Sequence, residues 1–264
     1  MNVHDNHAPS TANVLCIKWG EKYGSEYVNR LYRGVRENLQ RSLRFVCLTD
    51  DDAGIDDDVE IFPLPATTFD EDAFDARPGG ETWRKVGLFQ PGLAELRGET
   101  LFLDLDIVIT GSMDAFFDYE PGRFCVIQDW LEKRRGWMPG RDGRVGNTSV
   151  FRFDPQRHGH VYERFAEDQS AVLDQFRIEQ QYVSDAVGED LTFWPANWVC
   201  SFKRHCRPTF PLNLIVEPPR PRAMKILVFH GYPLPEQAIE GYDGGLLKRT
   251  RPAKWIEPLW QRAA

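Results

Sequence analysis

The chain has 264 residues, 42% of them hydrophobic and 27% charged, which is enough for one large α/β domain and excludes wholesale disorder. Its formal net charge of −8 excludes nucleic acid as the main partner, because phosphate binding needs a broad cationic surface, although local basic patches remain possible. Nowhere do about 18 apolar residues run together, and the first eleven residues lack the charged-then-apolar pattern of a leader, so a cytoplasmic protein is expected.

Residues 1–12 read as a disordered tail and 13–264 as one domain. A strand over 14–18, a glycine-punctuated loop over 19–24, a helix over 25–39 and a strand over 44–49 make a βαβ opening. Val28, Leu31, Val35 and Leu39 carry the helical period, and Ser25 is the expected N-cap. This opening places a nucleotide-sized crevice at the strand ends. A third strand is expected over 59–62, then a helix over 82–90 that breaks at Pro91 and resumes to 97, and then one extended run over 100–110.

Beyond that run, Ser112 should cap a short helix to 117, and a strand over 123–127 should end at Gln128 and Asp129. Residues 130–144, rich in Gly, Arg and Trp, read as an active-site loop. A strand over 148–153, helical stretches over 156–175 and 178–187, and strands over 191–194 and 226–229 complete the series. The tail carries Lys248, Arg249, Arg251, Lys254, Trp255 and Trp260. It reads either as a helix packing its tryptophans on the domain or as a peripheral contact with the inner face of an anionic membrane. Cys16, Cys47, Cys125, Cys200 and Cys206 are odd in number and scattered among apolar neighbours, as reduced core cysteines are. Cys200, His205 and Cys206 lack the second ligand pair that a zinc site would need.

The run over 100–110 reads Thr-Leu-Phe-Leu-Asp104-Leu-Asp106-Ile-Val-Ile-Thr. In extended chain Asp104 and Asp106 share a face, and burying two carboxylates side by side is tolerated where a cation or a proton offsets the charge. His230, at the end of an equally apolar strand, offers a third group. Two carboxylates with one imidazole suit Mn2+ or Mg2+, whose open positions would take diphosphate oxygens and stabilise a departing diphosphate.

These motifs, Leu-Phe-Leu-Asp104-Leu-Asp106 followed late by Val-Phe-His230-Gly231, resemble in order and spacing those of the family 8 glycosyltransferases and their bacterial relatives of the GT-A fold, over roughly residues 13–235. The resemblance implies an α/β nucleotide-diphospho-sugar transferase domain with a mixed central sheet. It also implies retaining transfer of a hexosyl group from a nucleotide sugar, with UDP favoured, to a glycan or lipid-linked acceptor. By the same resemblance Asp104, Asp106 and His230 would bind the metal, Asp104 would approach the ribose, and Gly231 would adjoin the donor. Arg84 or Lys85 would contact the donor, Asp129 would orient the donor sugar, and Asn147 would line its pocket. Glu179-Gln180-Gln181 is similar to an Asp-Gln-Asp segment beside the anomeric centre and acceptor, so Glu179 and Gln180 are candidate catalytic residues. Attack through an oxocarbenium-like state, with Gln180 positioning, is the implied chemistry.

Two departures stand out. No lysine follows His230 where the family places one on the diphosphate; Lys203, Arg204, Lys225 and Lys254 are the available substitutes. Glu-Gln-Gln lengthens one acid by a methylene and removes the other charge. The competing readings are a haloacid dehalogenase-like phosphatase and a nucleotide-sugar-binding protein without catalysis. Trp194 and Trp198 could stack on an acceptor sugar or fill the core.

Overall fold

β1 (Ala12–Lys18) is buried along its whole length because it pairs in parallel on both sides, with β2 (Leu43–Thr49) and with β4 (Thr100–Leu103). The computed structural model describes residues 11–65, 72–75, 79–131 and 143–261. Residues 1–10 of the expected tail and 132–142 of the expected loop lie outside that set. Helix α1 (Ser25–Glu37) buries Tyr27, Val28, Leu31, Tyr32 and Val35 and returns the chain to β2. Gly24, not Ser25, is its N-cap, with no side-chain hydrogen bond, so the expected serine cap is corrected to a first helical residue.

The large sheet is completed by β3 (Glu60–Pro63), β6 (Phe124–Gln128), β7 (Gly146–Phe153) and β8 (Leu191–Phe193), in the order β3-β2-β1-β4-β7-β6-β8. β7 runs antiparallel to both β4 and β6, so the central sheet is mixed. A second sheet, ordered β5-β10-β9, holds β5 (Ile107–Ile109), β9 (Val199–Ser201) and β10 (Ile226–Val228).

The expected single strand over 100–110 is therefore two strands in different sheets, β4 and β5, and Asp104-Leu105-Asp106 is the crossing between them. Each sheet satisfies one backbone group of the crossing. The Asp104 amide donates to the Ser149 carbonyl at 2.9 Å, and the Asp106 carbonyl accepts from the Phe229 amide at 2.9 Å.

Alternation along the strands separates two cores. Val14, Cys16, Leu101 and Leu103 join the core under α1 and the small sheet, while Leu15, Ile17 and Phe102 join an aromatic core with Trp83, Phe89, Phe151 and Tyr182. The segment expected as a helix from 82 is a 3₁₀ helix over Gly80–Phe89. The stretch expected over 156–175 is three helices, Pro155–His158, His160–Glu167 and Gln169–Gln175. Asp114, not Ser112, precedes the short helix Ala115–Asp118.

The tail packs inward. Trp260 is 4% exposed, edge-on to Tyr27 at 5.3 Å and beneath the Arg30 guanidinium at 4.8 Å, while the Trp255 indole donates to the Pro218 carbonyl at 2.8 Å. All five cysteines are buried and free.

Candidate active site

A cavity of about 250 Å³ opens at the C-terminal ends of β1 and β4, walled by Trp19, Tyr23, Thr82, Lys85, Asp104 and Asp106 among others. This is where open α/β sheets place a ligand. The loop after β1 and the 3₁₀ helix over Gly80–Phe89 bring the wall residues together.

Beneath the cavity lies a buried charge network. The Lys85 ammonium is 2.6 Å from Asp104 Oδ1 and donates to the Thr148 carbonyl at 3.2 Å. The Thr148 hydroxyl donates in turn to Glu179 Oε2 at 3.0 Å, and the other Glu179 oxygen is buried with no hydrogen-bond partner. Burial pushes the Glu179 carboxyl up to about 7, against the pull of Lys85 and the Thr148 hydroxyl. Asp106 is likewise pushed up to about 7, first by burial and then by Asp104, while the Tyr23 hydroxyl, donating to it at 2.9 Å, opposes the shift. Burial works against the charge on Lys85, yet Asp104 and Glu179 hold its pKa above the ordinary lysine value.

His230 follows β10, next to the residue whose amide binds the Asp106 carbonyl. Its ring stacks on Trp130 with centroids 5.3 Å apart, and its Nε2 is buried without a hydrogen-bond partner. Burial, with Lys203, Arg204 and His205 nearby, pulls its pKa down to about 4, so the imidazole is neutral at neutral pH. Lys203 donates to the His230 carbonyl, and a Cβ on Gly231, which has φ +68°, would lie 3.6 Å from the Lys203 ammonium.

The chemistry of this donor set fits a hard or borderline divalent ion. A neutral imidazole with an orphaned nitrogen and an aspartate discouraged from ionising are the groups such an ion would relieve. Among the described residues, however, no three His, Cys, Asp or Glu side chains are already drawn together as a ligand set.

The structure thus gathers Lys85, Asp104, Asp106 and Glu179 into one network, with His230 and Gly231 tied to its edge through β10 and Lys203. Of the two basic positions expected to serve the donor, Lys85 holds Asp104, while Arg84 is half-buried beside it. Asn147 is buried and its side-chain oxygen accepts from the Ser149 amide at 3.1 Å. Asp129 Oδ1 accepts from the Leu131 amide at 2.8 Å. The Gln180 carbonyl accepts from the Ser184 hydroxyl at 2.6 Å, and that hydroxyl accepts from the Gly146 amide at 2.8 Å, which pins the helix Glu179–Val187 to β7.

Sequence reasoning missed Tyr23 and Thr148, and it placed Trp130 at the start of the expected active-site loop without foreseeing its stacking on His230. It also left four substitutes for the absent lysine, which the contacts separate. Lys225 lies over the Trp198 ring at 5.1 Å, Lys254 faces Glu257 at 4.0 Å, and Arg204 lines a separate cavity of about 350 Å³ with Trp130 and His205. Lys203 is the one bound to the His230 backbone, and it lies in the field of Asp106. Trp194 is 4% exposed, donates to the Val150 carbonyl at 3.1 Å and packs edge-on against Phe116, so it belongs to the core.

The architecture is the GT-A glycosyltransferase fold. Among solved structures it is similar to the galactosyltransferase LgtC in complex with donor and acceptor sugar analogs, with a TM-score of 0.60, 14% identity and 95% of each chain covered. The glycosyltransferase GlyE of Streptococcus pneumoniae TIGR4 aligns with a TM-score of 0.57 and 11% identity, over 96% of this chain and 62% of GlyE. The bifunctional glycosyltransferase WbbM aligns with a TM-score of 0.55 and 13% identity, over 86% of this chain and 47% of WbbM. No family model and no curated protein matches the sequence.

Proposed function

We propose that the protein is a metal-dependent, retaining glycosyltransferase that moves a hexosyl group from a nucleotide sugar, UDP-linked, to a glycan or lipid-linked acceptor. The observation that carries this reading is the sheet crossing at 104–106. It presents two carboxylates to the cavity at the ends of β1 and β4, and the pairing of β5 with β10 sets Phe229, the residue before His230, on the Asp106 carbonyl. The GT-A fold supports it.

In this reading Asp104, Asp106 and His230 hold Mn2+ or Mg2+, which supplies Lewis-acid stabilisation of the diphosphate charge. Tyr23 orients Asp106, and Lys85, braced by Thr148 and Glu179, orients Asp104. Glu179 is fully buried, so it acts through Lys85 as a positioning group, and Gln180, which is half-buried on the same helix, is the residue assigned to the anomeric centre. Asp129 and Asn147 are assigned to the donor sugar. Lys203 provides the cation for the leaving diphosphate. The phosphatase reading needs its aspartate pair after the first strand of the sheet, whereas here the pair follows the fourth in chain order.

The test is a panel of nucleotide sugars assayed for hydrolysis and transfer with and without Mn2+. Metal-dependent turnover is expected, with a loss of more than about a hundredfold in Asp106→Ala. Undiminished turnover in that variant would remove the assignment.

A further inference from the structure

In a chain of net charge −8, residues 202–216 and 244–256 together hold seven Lys and Arg and not one Asp or Glu. The same two segments carry large apolar side chains that face solvent: Phe210 is 51% exposed, Leu212 49%, Ile215 74%, Leu246 62% and Leu247 70%. These turns form one surface. The fully buried Asn213 donates from its side-chain amide to the carbonyls of Leu246 at 2.8 Å and Arg249 at 2.9 Å, stapling one turn to the other.

We infer that this surface docks the protein on an anionic lipid bilayer, with the leucines and Ile215 entering the interface and the surrounding cations meeting lipid phosphates. Apolar residues ringed by Lys and Arg are what an anionic interface holds, each basic group strengthening binding about fivefold. A second copy of this chain is disfavoured as the occupant, because a self-complementary contact would set the cationic turns against each other. Arg249 is partly neutralised by its pair with Asp243, which leaves Lys248, Arg251, Arg204 and Arg207 as the main contributors. Trp255 and Trp260 are engaged inside the molecule and take no part.

The surface borders the candidate active site. Lys248 and Arg204 act electrostatically on Lys203, which binds the His230 backbone. If the function proposed above holds, docking would set the site opening at the level where the sugar of a lipid-linked acceptor lies; the docking itself does not depend on that reading.

The experiment is co-sedimentation of the full chain with vesicles of phosphatidylcholine alone and of phosphatidylcholine mixed with phosphatidylglycerol, at low and high salt. Binding is expected only to the anionic vesicles and should weaken with salt. The double variant Leu246→Ser, Leu247→Ser should lower the partition coefficient roughly tenfold, and Lys248→Glu with Arg251→Glu by at least as much, with melting temperature unchanged. Failure to bind anionic vesicles at low salt, or equal binding to both vesicle types, overturns the inference. Self-association in light scattering that the leucine variant abolishes overturns it too, as does binding unaffected by either double variant. Nucleotide-sugar turnover measured without vesicles tests the proposed activity separately.

Discussion

The ammonium of Lys85 lies 2.6 Å from Asp104 and in the field of Glu179 and Asp106, so one buried positive charge serves three acids. Two of those acids, Asp106 and Glu179, are pushed up to about 7, which ties the stability of the ligand-free protein to pH. For Glu179 the folded pKa is above the ordinary value of 4.5, so its contribution is fully present below about pH 4.5 and is lost as pH rises through 7. Glu179→Gln removes that titration. The difference in urea-unfolding free energy between pH 5 and pH 8 should then shrink by an amount on the order of 3 kcal/mol, and an unchanged difference would place the titration elsewhere. Lys203 makes a second prediction at this scale. Lys203→Met should weaken binding of a nucleoside diphosphate about tenfold while leaving the monophosphate nearly unaffected, as read by calorimetry. Equal losses for both would mean that Lys203 only supports the His230 backbone.

Among the elements, the C-terminal helix Glu257–Gln261 is held by one large side chain. Trp260 is 4% exposed against Tyr27 and Arg30 of α1, so Trp260→Ala should cost about 3–5 kcal/mol, measured by denaturant unfolding. A cost under about 1 kcal/mol would mean that the helix does not brace α1. The βαβ opening was legible in sequence because β1 and β2 are apolar runs and α1 keeps a helical stripe over several turns. The division of 100–110 was not, since a two-residue alternation says which residues share a face but not which sheet a strand joins. The three-residue strand β9 and the helix Pro235–Glu240 are too short to show a period. The broken helical stretch had local signals, because Asp154 and Asp168 each accept from an amide of the following helix at 2.9 Å. At the site, Asp104, Asp106, Lys85 and Glu179 could be named from sequence. Tyr23 and Thr148 could not, because their contacts join segments 83 and 31 residues apart that no local pattern links.

Across the whole molecule, a mixed seven-stranded sheet separates two cores, and the small sheet leans on only one of them. The candidate site lies where the chain passes from one sheet to the other, so groups from both sheets must keep their relative position for it to work. The amide of Phe229 donates to the carbonyl of Asp106, which makes that single proton a reporter of the junction. Deuterium should replace it more slowly once nucleoside diphosphate and Mn2+ are added, while the amides of β3, at the far edge, keep their pace. A rate at Phe229 indifferent to both additions would show that the two halves of the site open and close independently of what they hold.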